Sequence, residues 1–378
     1  MQVVQAILRS ASDVASELAS LTAIQPNLLL AFGSVDLLRG IAPELAALFP
    51  EARRLGCSTA GEISADGVAD GTCVLTAIRF DKTTLVEAAT PLSGMDDSRA
   101  AGGRLSAQLP KEGLRAVLIF GQGVQINGSA LLAGMTDILG SAIPITGGLA
   151  GDGGAFQQTW VLDDSGAHSD TLVALGLYGA HLNFCHGSFG GWSPFGPARK
   201  VTRSAGNVLF ELDGEPALGV YKRYLGDHAA GLPASGLLFP FAMLGKDHDE
   251  VGLIRTILGV DETDGSLTLA GEIDPDGYLK LMHASTDALV DGAEAAAEAA
   301  RLMLSGDGQG LVLLVSCVGR KLVMGGRVDE EVEAVGEVFG KGALLTGFYS
   351  YGEISPFSPS LECKLHNQTM TVTYIGEN

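Results

Sequence analysis

Short apolar runs that end at glycine punctuate the chain, each set between stretches whose apolar positions repeat at helical spacing. Three runs stand out, at residues 28–33 (Leu28-Leu29-Leu30-Ala31-Phe32-Gly33), 116–121 and 311–319. Their length suits a buried strand better than a core helix. An Ala/Leu-rich stretch read as a helix precedes each, at about residues 4–21, 98–108 and 288–304. A second helix follows each. Leu37, Ile41, Leu45 and Leu48 fall near one face of the first, residues 128–139 form the second, and Val332, Val335 and Phe339 share a face of the third at 329–339. Further strands are expected at 73–80, 84–89, 158–162, 172–178 and 182–189, with 362–374 closing the chain.

In every copy the chain then enters a turn of glycine and an acid. The three turns read Gly56-Cys57-Ser58-Thr59-Ala60-Gly61-Glu62, Thr146-Gly147-Gly148-Leu149-Ala150-Gly151-Asp152 and Gly347-Phe348-Tyr349-Ser350-Tyr351-Gly352-Glu353. From strand-end glycine to turn glycine the separation is 28, 30 and 33 residues (33→61, 121→151, 319→352). One supersecondary unit used three times accounts for the shared order and spacing. Gly-Trp-Ser-Pro-Phe-Gly-Pro at 191–197 breaks the pattern and marks a boundary. Beyond it come a strand at 208–212, a turn at Asp213-Gly214 and a helix opening on Glu215-Pro216, a suitable place for proline. Strands at 237–244, 253–260 and 266–270 follow, the last after an Asp264-Gly265 hairpin turn. The expected fold class is α/β (mixed α+β): two domains of mixed sheets flanked by helices, with an internally repeated helix-strand-helix-strand unit. The first domain spans 1–195, with units at about 1–92 and 96–190, and the second spans 196–378.

Composition narrows the partners. A chain of 378 residues with 46% hydrophobic content buries a sizeable core and suits two domains. No apolar run reaches the roughly 18–20 residues of a membrane span, and the start lacks the basic and apolar regions of a secretory signal. The five cysteines form an odd set without CxxC spacing, which argues against a disulfide framework or structural zinc and for the cytoplasm. A net charge of -20 disfavours nucleic acid and anionic membrane as partners.

The motifs carry a resemblance. Gly-Cys-Ser-Thr-Ala-Gly-Glu (56–62), Gly-Gly-Leu-Ala-Gly-Asp (147–152), Glu-Leu-Asp-Gly-Glu-Pro-Ala (211–217), Gly-Phe-Tyr-Ser-Tyr-Gly-Glu (347–353) and Leu-His-Asn-Gln-Thr (365–369) together resemble FIST proteins of the stand-alone type, with N- and C-terminal FIST domains. The resemblance implies a sensory module for a small, amino-acid-like ligand, signalling through a separate protein. For some stand-alone members it implies a haem protein that senses nitric oxide and regulates a histidine kinase or a cyclic-di-GMP enzyme.

Three readings of the site remain open. In the first, the turns and Trp192 line a ligand pocket. Their glycines let backbone N–H groups approach closely, and their acids hold polar groups. The residues are Cys57, Ser58, Glu62, Asp152, Trp192, Tyr349, Tyr351 and Glu353; Tyr349 and Tyr351 alternate and so share a face. Against this stands the reading in which each acid only caps backbone donors. In the second, a hydrolase or transferase uses Cys57 or a Glu62/Glu353 carboxylate pair, although the first histidine is His168. In the third, haem b is held by His366 or His186. There is no CxxCH for covalent attachment, and GxSxG, HExxH and a P-loop are absent.

Overall fold

The computed structural model describes residues 1–10, 14–304, 310–357 and 362–378. Its mixed α/β architecture repeats one unit three times. In the first unit the strands Leu28–Gly33 and Arg53–Ser58 run parallel, and helix Val35–Leu48 makes the crossover that parallel pairing needs. Cys73–Arg79 pairs antiparallel with Leu28–Gly33, and Gln2–Leu8 lies outside it. In the second unit Leu114–Gly121 and Ile145–Leu149 form the parallel pair around helix Gly128–Leu139, with Thr171–Tyr178 and then Thr84–Pro91 in the outer places. In the third, Gly310–Cys317 and Ala343–Ser350 are parallel, followed outward by Met370–Glu377 and Leu182–Phe189.

Each sheet is completed by a hairpin from another unit. Glu62–Ser64 with Gly67–Ala69 extends the third unit's sheet through Ala343–Ser350. Val161–Asp163 with Gly166–His168 extends the first through Arg53–Ser58. Gly352–Phe357 with Glu362–His366 extends the second through Ile145–Leu149. The exchange is cyclic and yields three six-stranded sheets of the same strand order.

The inner faces of the sheets meet in one core. Leu28, Leu30 and Phe32 point inward with Ala116, Leu118 and Phe120 and with Leu311, Leu313 and Val315. The residues between them, such as Leu29, Val117 and Val312, face outward onto helices. Burial on both faces explains why these strands read as unbroken apolar runs. Phe32, Phe120 and Phe348 meet at the centre with ring separations of 5.3, 4.7 and 6.0 Å. Gly56, Gly147 and Gly347 occupy the same place in the three units. A Cβ at any of them would run into the carbonyl oxygen of Ala31, Ile119 or Leu314 on the parallel neighbour.

Strands between Ser193 and His283 form a separate sheet with helix Ala217–Leu225 and its own core, including Leu209, Tyr221, Phe241 and Leu279. The chain leaves the three-unit body at Gly190-Gly191 and returns through helix Thr286–Met303. Exit and return touch: a Cβ on Gly292 would sit 2.9 Å from the Gly191 nitrogen. The buried Arg320 guanidinium binds both, donating to the carbonyls of Gly190 and of Leu289 (2.8 Å) while pairing with buried Glu331 at 2.7 Å.

Several boundaries differ from expectation. Residues 2–8 form an edge strand where a helix over 4–21 was expected; Val3, Val4 and Ile7 favour extended backbone, and the described helix is Val14–Thr22. Thr84–Pro91 serves the second sheet. The closing strand is two strands, separated at 367–369 where Gln368 takes a φ of 64°. Arg199–Ala205, Tyr278–His283 and helix Val318–Met324 were not anticipated. Among the described residues no helix is long and apolar enough to cross a membrane.

Candidate functional site

The turns that follow the parallel strands gather at one end of the body and floor a cleft of about 1060 Å3. Residues 231–234, Leu237, Ile257 and Leu258 of the inserted segment form the opposite wall. The carboxyl ends of parallel strands are where open α/β sheets commonly take ligands. The floor holds Ser34 to Asp36 at the start of helix Val35–Leu48, residues 59–62, residues 152–156, and Val318, Lys321 and Leu322. Among the described residues, Lys321 is the one cation in a lining that also holds Asp36, Glu62, Asp70 and Asp152. Its Nζ donates to the Ala60 carbonyl at 2.9 Å and pairs with exposed Asp70. Leu258 and Leu322, both exposed, face the same cleft from its two sides.

Two of the turn acids are held in the same way. Glu62 accepts from the Thr59 hydroxyl with one oxygen, and from the Thr72 amide (2.9 Å) and hydroxyl (2.8 Å) with the other. Glu353 accepts from the Ser350 hydroxyl (2.6 Å), and from the Thr369 amide (3.2 Å) and hydroxyl (3.1 Å). In both, a hydroxyl three residues back and a threonine at the head of the next strand hold the carboxylate. Burial pushes both pKa values up, that of Glu353 to about 8, against the opposing pull of these hydrogen bonds. Glu62 still reaches the cleft lining; Glu353 is not among the lining residues.

Asp152 works differently. One oxygen accepts hydrogen bonds from the Tyr351 hydroxyl and the Phe156 amide (2.8 Å); the other accepts from the amides of Gln157 (2.7 Å) and Gln158 (2.9 Å). Tyr351 in turn accepts from the Gly154 amide at 2.9 Å and stacks on Phe156 at 4.1 Å. The loop of residues 152–158 is thereby set as the cleft floor.

The remaining turn residues lie behind that floor. Ser58 donates to the Gly151 carbonyl (2.6 Å) and accepts from the Trp160 amide (2.8 Å). Tyr349 donates to Glu331 (2.6 Å), so it shares the buried Arg320 network rather than a pocket wall with Tyr351. Cys57 is wholly buried in the central core, where burial pushes its thiol well up. That is a poor setting for a nucleophile. Glu62 and Glu353 each have their own hydroxyl partners and share none of them. Lys321, Asp70 and the Arg320–Glu331 pair escaped the reading of the sequence. The one available signal was Arg320-Lys321 directly after an apolar strand in a chain with only 24 basic residues.

A second cavity of about 790 Å3 lies at the root of the inserted segment and contains Trp192 and His366 in its lining. The Trp192 indole donates to the Gln368 carbonyl at 2.7 Å. His366 lies beside Phe357; burial lowers its pKa to about 4, and its Nε2 lies 3.1 Å from the Ser355 carbonyl. Nε2 is the nitrogen that projects furthest from the backbone, and here the protein takes it. His186 sits half-buried on Leu182–Phe189, outside the lining of both cavities. Neither histidine therefore fits an axial haem ligand in this arrangement.

Comparison with known proteins adds the following. A stretch of 91 residues is 37% identical to an uncharacterised protein of Methanocaldococcus jannaschii, covering 24% of this chain and 17% of that protein's length. Two solved cyanuric acid hydrolases, one from A. caulinodans, align over the whole chain and 99% of their own at 10% and 9% identity, with a TM-score of 0.37. So low a score transfers nothing to this chain. Residues 27–215 match the FIST N domain and residues 217–356 the FIST C domain. With the two matches spanning most of its length in that order, the chain belongs to the FIST family, whose domains bind small ligands in signal transduction.

Proposed function

We propose that the protein is a sensor whose ligand, small and carrying both signs of charge as an amino acid does, binds in the cleft between the body and the inserted segment. The observation that carries this reading is the placement of Lys321, among the described residues the one lining cation, beside acids and opposite an apolar wall of Leu232, Pro233, Leu237 and Ile257. A ligand carboxylate would replace Asp70, itself exposed to water, on the partly buried Lys321. The ligand ammonium would meet Asp36 or Asp152, and an apolar side chain the inserted wall. A ligand that touches both bodies favours the closed arrangement by its difference in affinity for the two states. A separate protein, a histidine kinase or a cyclic-di-GMP enzyme in this reading, would respond to that change.

Thermal melts against the common amino acids test it. At a hundred times Kd a true ligand adds about 2.7 kcal/mol and raises Tm by a few degrees. Lys321→Met should abolish the rise while leaving the unliganded melt cooperative. A screen without a rise, or a rise that survives Lys321→Met, overturns the assignment. For haem, the commitment of His366 to Ser355 predicts no Soret band after reconstitution. A band lost in His366→Ala would reverse that conclusion.

A further inference from the structure

The geometry points to a second ligand site: the cavity at the root of the inserted segment takes an amphiphile with a single alkyl chain and an anionic headgroup. Its walls are apolar, with Trp192, Met243, Leu244, Ile254 and Met282 facing Ala295 of the long helix Thr286–Met303. At about 790 Å3 it falls within the roughly 300–1,000 Å3 of small-molecule sites. Its charge runs against that of the molecule. The chain carries 44 acidic residues and a net charge of -20, yet among the described residues no aspartate or glutamate lines this cavity. Lys280 does, half-buried on strand Tyr278–His283. Among the described residues it has no ion-pair partner, unlike Lys321 of the first cleft. Exposed His248 lines the cavity as well, its ring 3.9 Å from Tyr278.

An unpaired cation beside an apolar hollow is matched by an anionic head on an apolar tail, which satisfies the ammonium and removes the tail from water. A zwitterion would leave its own ammonium unpaired here, so the two cavities select different chemistry. The exposed Phe189, also a lining residue, offers the tail an apolar border. The proposal does not depend on the ligand of the first cleft.

The chain has two tryptophans, and Trp160 lies elsewhere, under the Arg39 guanidinium. Trp160→Phe therefore leaves Trp192 as a reporter inside the cavity. Decanoate, below its aggregation concentration, is titrated into the full chain carrying this change. The expected result is a saturable shift in Trp192 emission, with octanoate binding roughly tenfold more weakly for the loss of two CH2 groups. Decanol should bind more weakly than decanoate, and decyltrimethylammonium more weakly than decanol. Lys280→Met should erase the preference for decanoate over decanol while decanol still binds, which shows the cavity intact. Ala295→Trp should block both in a protein that melts cooperatively. A non-saturable response to decanoate overturns the site. An unchanged preference in Lys280→Met, or binding that survives Ala295→Trp, does the same.

Discussion

Glu62 and Glu353 show how one carboxylate serves as the fixed point of a turn. Each collects a hydroxyl from within its turn and an amide and hydroxyl from the head of the next strand. For Glu353 the burial that achieves this raises the pKa to about 8, above the roughly 4.3 of an unfolded chain. Between these values the folded protein binds the extra proton. Its contribution to stability is therefore complete below about pH 4 and is lost as pH rises through 8. Glu353→Gln keeps an acceptor but cannot titrate. Urea melts from pH 5 to 8 should show the fall in stability reduced by up to about 1.4 kcal/mol per pH unit. Glu353→Ala leaves the donors unsatisfied and should cost about 1–3 kcal/mol at pH 6. An unchanged slope in Glu353→Gln would show that Glu353 does not carry this proton. The acids were visible in the sequence as a repeated turn, since glycine and acid recur at similar spacing. Their partners were not: Thr72 and Thr369 lie 10 and 16 residues on, with a hairpin between. Lys321 reaches its cleft from a different unit, and its only local mark is its place beside Arg320 just after an apolar strand.

The parallel strand pair, with its crossover helix, is the element most fully written in the sequence. Its strands are buried on both faces and appear as unbroken apolar runs; the helices appear through their spacing, and residues 128–139 and 329–339 were placed as observed. The hairpin strands Glu62–Ser64 and Gly67–Ala69 were missed because three residues are too few to show alternation, whereas the strand expected at 158–162 overlaps the observed Val161–Asp163. The glycines at 56, 147 and 347 are the element's tightest requirement. Each faces a carbonyl oxygen across the parallel pair, and Gly147 also has a φ of 140°. Replacing any one by alanine should cost more than about 2 kcal/mol in denaturant melts, because the strands must separate to admit the methyl group. Gly40 is the control: exposed in helix Val35–Leu48 with nothing near its Cβ position, it should gain up to about 1 kcal/mol as alanine. Equal losses at all four positions would mean that the close approach is not what matters.

At the scale of the whole molecule, the inserted segment is joined to the body at a single root, where Gly191 packs against Ala288 and Gly292 and Arg320 holds both strands of the junction. Because exit and return already touch, replacing residues 193–283 by a short Gly/Ser linker should leave a body that melts cooperatively, with the Phe32–Phe120–Phe348 centre intact. Circular dichroism and the melt decide this; a molten product would show that the insertion is part of the core. The repeat and the break near residue 191 were legible in the sequence. The assembly of the third unit with the first two was not, because partners on the shared sheets lie hundreds of residues apart. The cyclic exchange of hairpins has a further consequence for a chain made from its N-terminus. The hairpin at 62–69 is synthesised early, but its docking strand, Ala343–Ser350, arrives only when almost everything else has been translated. Throughout that interval the nascent protein carries an open strand edge, which another copy on the same messenger could capture by donating its own late strand. Entangled oligomers formed during translation, rather than unfolding of the finished protein, are thus the misassembly to which this architecture is most exposed.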